Sequence, residues 1–342
     1  MSIFNAGDRY GWLGTFTAVT LTLVNPAAIA QTLTSAGDSF PEPLYRRYFE
    51  EYAADSGVEI EYAAIGSGGG IRRFIDESVD FAASSIPPTP LDASRMKRGL
   101  QLVPTAGGAV AVIYNLQSSA DRFIPSQVRI SREVLGKIFS GEITNWKQIS
   151  SNLPNLEIRI VVHSGSSGTN FIFTRHLNAI TNGAIAATQE PNWGFPVIGK
   201  SSDSDVAAAV KLTEGAIGYV QASFAREQNV KMAKIENRAG EWVKPSLDET
   251  NKALANVVFN PDFTVENLRD PEEGYPIVGL TWLFVYRRYP DVAAVESVID
   301  LVSWILTQGQ TFNEELEYTR IPEAVAQQAI EAVRGNVAVE PF

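Results

Sequence analysis

The feature that most constrains this chain is a local grammar that recurs three times. A strand-like run enters a short turn rich in Gly and Ser, and a helical stripe of apolar residues leaves it. The clearest instance is VVHSGSSGTNFIFTRHL, residues 161–177. Its apolar run ends at Val162, the turn covers His163 to Thr169, and Phe173, Leu177 and Ile180 recur at helical spacing. A second instance runs from a strand at 58–65 through Gly66-Ser67-Gly68-Gly69-Gly70 into a helix facing inward with Ile71, Phe74 and Ile75, followed by a strand at 79–83. In the third, residues 34–57, Ser39 reads as a helix N-cap and Pro41 as an early helical residue. Leu44, Tyr48 and Tyr52 form its apolar face, and Gly57 is the stop. Units of this order build an α/β fold with mostly parallel sheets, and ligands of such folds gather where strand ends meet helix starts.

Two long extended runs, AGGAVAVIYN at 106–115 and YPIVGLTWLFVYR at 275–287, lie far apart in the sequence. With 342 residues the chain is long enough for two lobes, and the two runs predict that it passes between them twice. Near the C-terminus Val295, Val298, Ile299, Val302 and Ile305 predict a core helix that Gly309 stops.

The first thirty residues read as a targeting segment. Residues 12–24 are apolar and follow Arg9; Asn25-Pro26 and then Ala28-Ile29-Ala30 precede Gln31. This predicts a signal peptide cleaved after Ala30, the alternatives being a buried helix or a retained anchor. A stretch of this length is shorter than the about 20 residues a membrane-spanning helix needs. The sequence contains no cysteine, so an exported chain of this kind relies on its core rather than on disulfides and has no Cys to lipidate. A Gram-negative periplasm is therefore expected. The net charge of −11 disfavours a nucleic-acid partner. It does not forbid a small anion, because salt screens charge beyond about 8–10 Å.

The chemistry-bearing residues exclude more than they select. Two histidines, His163 and His176, and no cysteine give no zinc set, and no metal or other cofactor is expected. His176 reads as a surface or capping residue. The Ser-rich turns do not match a nucleophile elbow, GSGGGI lacks the P-loop Lys-Ser/Thr, and the near-match to a dinucleotide motif ends in Ile71 rather than Gly. A Ser167–His163 pair has no orienting acid in the sequence around it, so catalysis is not expected. What the three junctions share is a set of N–H and O–H donors able to converge on one small anion.

At this point the blocks TSAGDSFPEPLY (34–45), IGSGGGI (65–71), VDFAASSIP (79–87), SSGTNFIFT (166–174), GAIGYV (215–220) and YPIVGLT (275–281) resemble, in order, the periplasmic phosphate-binding proteins that serve ABC-type phosphate importers. The resemblance covers essentially the whole chain after residue 30. It implies the α/β, two-lobed periplasmic binding protein fold, with mixed sheets flanked by helices and two hinge crossings. Lobe I would comprise 31–114 and 278–342, and lobe II 115–277. By the same resemblance Ser39, Phe40, Ser67, Ser85, Ser167, Gly168 and Thr169 would hold inorganic phosphate, with His163 and Asp38 as secondary candidates. The partner would be an inner-membrane ABC permease, and the protein a monomer.

Three positions depart from that family's pattern. Ser85 stands where an Asp is usual, His163 where an Arg is usual, and Gly165 where the Asp partner of that Arg is usual. A carboxylate only accepts hydrogen bonds, whereas a serine hydroxyl accepts or donates. With Ser85 the site is expected to reject sulfate less firmly. A receptor for sulfate or another tetrahedral oxyanion, or a sensory phosphate-binding protein, are the alternatives. His163 is expected neutral and bonded to backbone, the rival reading being a protonated ring that substitutes for the Arg.

Overall fold

The computed structural model describes residues 32–117, 127–266 and 268–341. The proposed signal segment, 1–30, lies outside them. The strands that position the site are β1 (Thr32–Gly37), β2 (Glu59–Ala64), β3 (Phe81–Ser84), β4 (Gln101–Tyr114), β5 (Arg159–His163), β6 (Ile198–Lys200), β7 (Ala216–Gln221) and β8 (Val278–Val285). The helices that matter are α1 (Glu42–Ser56), α2 (Ser67–Ile75), α3 (Gly168–Ile180), α4 (Asp203–Leu212) and α5 (Val292–Leu306).

These strands form one mixed sheet in the order β2-β1-β3-β8-β4-β7-β5-β6. The outer strands pair in parallel, β1 with β2 and β3, and β5 with β6 and β7. The centre does not follow the mostly parallel expectation, because β8 is antiparallel to both β3 and β4, and β4 is antiparallel to β7. The reason lies in β4. Its fourteen residues are all buried, with the first part paired to β8 as far as Ala109 and the last part, from Val110, paired to β7. A single strand thus belongs to both half-sheets, and β8 runs back alongside it at the same place.

Sequence periodicity translates directly into packing. Leu44, Tyr48 and Tyr52 are buried on α1, and Gly57 ends it in the left-handed conformation with φ 75°. Ile71 and Phe74 are buried on α2, where the Phe74 ring stacks on Tyr286 at 4.0 Å between centroids. In the other half Phe173 of α3 stacks on Tyr219 of β7 at 3.9 Å. Each such aromatic pair adds about 0.5–1.5 kcal/mol beyond the area it buries. Three local expectations are corrected. Pro41, not Ser39, precedes α1 as its cap residue, and no side chain caps that helix. Helix α5 ends at Leu306, and Gly309 opens a short 3-10 turn rather than stopping the helix. His176 is buried, not on the surface.

Candidate functional site

The strand ends of both half-sheets converge on one buried spot. After β1, the loop Asp38-Ser39-Phe40 is fixed by its carbonyls. Tyr62 Oη donates to Asp38 O at 2.6 Å, Tyr318 Oη to Phe40 O at 2.6 Å, and Glu42 N–H to Ser39 O. Ser39 is not a cap because its Oγ makes no hydrogen bond to the helix start among the described residues. The Ser39 and Phe40 N–H groups have no acceptor among the described residues, so both are available to a ligand. Ser67 opens α2, and its Oγ accepts from Ser85 N–H at 3.1 Å, which places Ser85 beside it. Ser39, Phe40, Ser67 and Ser85 all belong to the first half and are all buried.

The second half contributes the start of α3. Ser167 Oγ caps the helix through Asn170 N–H at 3.4 Å. Asn170 Nδ2 donates to the carbonyls of His163, Gly165 and Gln189 at 3.0–3.1 Å, and its Oδ1 accepts from Tyr219 Oη. One buried amide thereby holds the loop carbonyls away from the helix start, which leaves N–H groups as the polar face of that turn. His163 Nδ1 lies 2.9 Å from Ser164 O, as expected for a ring bonded to backbone. Its Nε2 is buried without a partner. Ser167 Oγ and His163 Nε2 form no hydrogen bond with each other, so the pair needed for a nucleophile and its base is not made.

The two halves touch here. Gly168 N–H donates to Asp38 Oδ1 at 3.2 Å. A Cβ placed on Gly168 would lie 1.9 Å from Asp38 Oδ2 and 2.7 Å from Ser67 Oγ, so only glycine allows this approach. At Gly66, φ 82° and a carbonyl of Ser166 at 2.1 Å from a built Cβ impose the same requirement. All seven residues expected by resemblance, together with Asp38 and His163, are thus brought to one place.

Sequence reasoning missed Asp203 and Gln221. Asp203 is fully buried at the first turn of α4; its Oδ2 accepts from Thr169 Oγ1 at 2.8 Å and Gln221 N–H at 3.0 Å. Burial raises its pKa from 3.8 to about 6, against the favourable pull of His163, and the nearby Asp38 adds to the rise. The stretch SSDSD at 201–205 looks like helix capping, and Ser202 does cap α4 through Asp205 N–H. Nothing in it marks Asp203 as inward-facing. The side-chain atoms left buried without a protein partner include Asp38 Oδ2, Ser39 Oγ, Ser85 Oγ, His163 Nε2, Asp203 Oδ1 and Gln221 Nε2. Unsatisfied buried polar groups are costly, and their gathering here makes this the candidate ligand site. By contrast, a surface cleft of about 660 Å³ lined by Arg238, Lys252 and Arg269 has its Arg238 paired with Glu272 and its Lys252 with Glu249.

Two half-sheets joined through β4, with facing helix starts between them, are the architecture of a two-lobed solute-binding protein. Residues 24–308 match the PBP superfamily domain. The chain is 32% identical to the phosphate-binding protein PstS of Xylella fastidiosa strain Temecula1, over 86% of this chain and 83% of that protein. It is 30% identical to PstS of Pasteurella multocida, over 87% and 88%. Among solved structures, a high-affinity periplasmic phosphate-binding protein bound with phosphate superposes with a TM-score of 0.75 at 23% identity, covering 88% of this chain and 94% of that one. The phosphate-binding protein of Stenotrophomonas maltophilia gives 0.71 at 21% identity, covering 88% and 94%. The chain belongs to the PstS phosphate-binding protein family within the PBP superfamily.

Proposed function

We propose that this chain is a periplasmic solute-binding protein that captures inorganic phosphate between its lobes and delivers it to an inner-membrane ABC permease. The lobes are 31–114 with 278–342, and 115–277, released as a monomer once residues 1–30 are removed. The observation that carries the reading is the meeting of Gly168 N–H, at the start of α3, with the β1 and α2 loops of the other half. A tetrahedral oxyanion held there receives the N–H groups of Ser39, Phe40, Ser67 and Thr169 and the hydroxyls of Ser39, Ser67, Ser85 and Ser167, while Gly168 N–H stays on Asp38 Oδ1. These dipoles replace its hydration without a full positive charge. No bond is made or broken. The anion binds the closed arrangement better than an open one, and β4, which pairs into both half-sheets, with β8 beside it, is where the halves hinge. Relatives named as binding proteins, and a Ser167–His163 pair that is not formed, support a non-catalytic role.

Calorimetric titration of the chain from Gln31 onward with phosphate tests this reading. Saturable binding at or below millimolar ligand is expected, and its absence would overturn the assignment. Uptake measured in cells lacking the gene separates delivery to a permease from a sensory role.

A further inference from the structure

The ligand set contains two buried carboxylates and no arginine. Asp38 comes from one half and Asp203 from the other. Each has one oxygen engaged, Asp38 Oδ1 by Gly168 N–H and Asp203 Oδ2 by Thr169 Oγ1 and Gln221 N–H. Each has its second oxygen buried with no partner. A carboxylate oxygen is an acceptor only, so a ligand group that satisfies it must donate a proton. Fully ionised sulfate carries no such donor, and its charge would be repelled by both groups. Dihydrogen phosphate carries two hydroxyl donors and a single charge.

Resting on the phosphate reading, we propose that Asp203, acting with Asp38, is the specificity-determining residue that makes this site take a protonated tetrahedral oxyanion and exclude fully ionised ones. The acceptor function expected to be weakened by Ser85 is supplied instead from α4, on the opposite half. The proton that each carboxylate receives stays on the ligand oxygen and is shared through a hydrogen bond, so binding the dihydrogen form draws a proton from solution wherever free phosphate is mostly dianionic. The groups that face Asp203 are His163 at the end of β5, Asp38 after β1, Tyr219 on β7 and Tyr318. The two tyrosines are held neutral by burial, so the variants that matter beside Asp203 are at Asp38 and His163. Burial also keeps Asp203 easier to protonate than an ordinary carboxyl, so the site becomes less negative as pH falls.

The test is calorimetry with phosphate and sulfate at about pH 6 and about pH 8.5, on the wild type, Asp203→Asn, Asp38→Asn and His163→Gln. For the wild type, phosphate should bind at least roughly tenfold more tightly at the lower pH, with proton uptake at the higher one and no sulfate binding at comparable concentrations at about pH 8.5, where Asp203 is ionised. Asp203→Asn should lower the phosphate-over-sulfate ratio by roughly tenfold or more and flatten the pH dependence, while His163→Gln keeps both. The inference is overturned if wild-type phosphate affinity is unchanged or higher at about pH 8.5, if both Asn variants keep the wild-type ratio, or if His163→Gln alone abolishes the pH dependence. Each of these leaves phosphate binding itself intact. Absence of wild-type phosphate binding at either pH is the separate result that removes the underlying function. The wild-type pH and proton-uptake measurements decide the matter even if a variant fails to fold.

Discussion

Asp203 carries a clear energetic consequence at the scale of the single residue. Its pKa of about 6 in the folded chain exceeds the ordinary 3.8, so the folded state binds this proton more readily than the unfolded one. The ionised group therefore lowers stability above pH about 6, and the cost disappears as pH falls toward the ordinary carboxyl range. At about 1.4 kcal/mol per unit, the cost at neutral pH is about 3 kcal/mol. Asp203→Asn should accordingly raise the denaturation midpoint of the ligand-free protein near neutral pH, and this advantage should fade near pH 4. Denaturant titrations across that range read the difference; a gain that does not depend on pH would show that folding does not raise the Asp203 pKa. Instability retained for the sake of recognition is the common pattern at functional sites. Asp203 was not legible in the sequence because its inward orientation depends on Thr169 and Gln221, neither of them a near neighbour in the chain. Ser67, Ser167 and Thr169 were legible, because helix starts after strand ends are local features. His176 shows the converse. It looks like a surface residue on α3, but the helix packs that face inward, and burial, helped by Arg132 and Arg175 and opposed by Asp270, lowers its pKa to about 4.

Elements carry the closure. The α3 start meets the β1 and α2 loops at a distance that only a glycine at 168 permits. An alanine there is compatible with the helix, since alanine has the highest helix propensity. The nearest clashing atoms belong to Asp38 and Ser67 of the opposite half. Gly168→Ala is therefore expected to leave the ligand-free melting temperature within a few degrees of wild type while weakening phosphate binding by roughly a hundredfold, the equivalent of about 2.7 kcal/mol. Melting curves and calorimetry together check this; a fall in stability that matches the fall in affinity would place the contact in folding rather than in closure. Periodicity made α1, α2 and α5 readable, and the apolar runs located β4 and β8. Their antiparallel pairing was not readable, because β4 and β8 lie more than 150 residues apart and pairing direction is set by where the chain returns.

For the whole molecule, ligand binding and stability are linked by mass action. A ligand that binds only the folded, closed arrangement stabilises it by about 2.7 kcal/mol at a hundred times its dissociation constant. Phosphate at that excess should raise the melting temperature by about 4 °C, since an unfolding entropy of about 2.1 cal/mol/K per residue gives roughly 1.5 °C per kcal/mol for a chain of this size. Sulfate at the same concentration should not. Equal shifts with both anions would mean general salting rather than recognition.

The sequence by itself determined the repeated strand–turn–helix units, the apolar faces, the two long strands and the family, because these depend on residues close together in the chain or on short blocks in a fixed order. Only the tertiary structure decided which donors and acceptors share the site. Asp38 and Asp203 stand 165 positions apart, and their unpartnered oxygens acquire meaning through burial and through the facing of one half against the other. Desolvation depends on everything packed around a group at once, which no local stretch of sequence encodes.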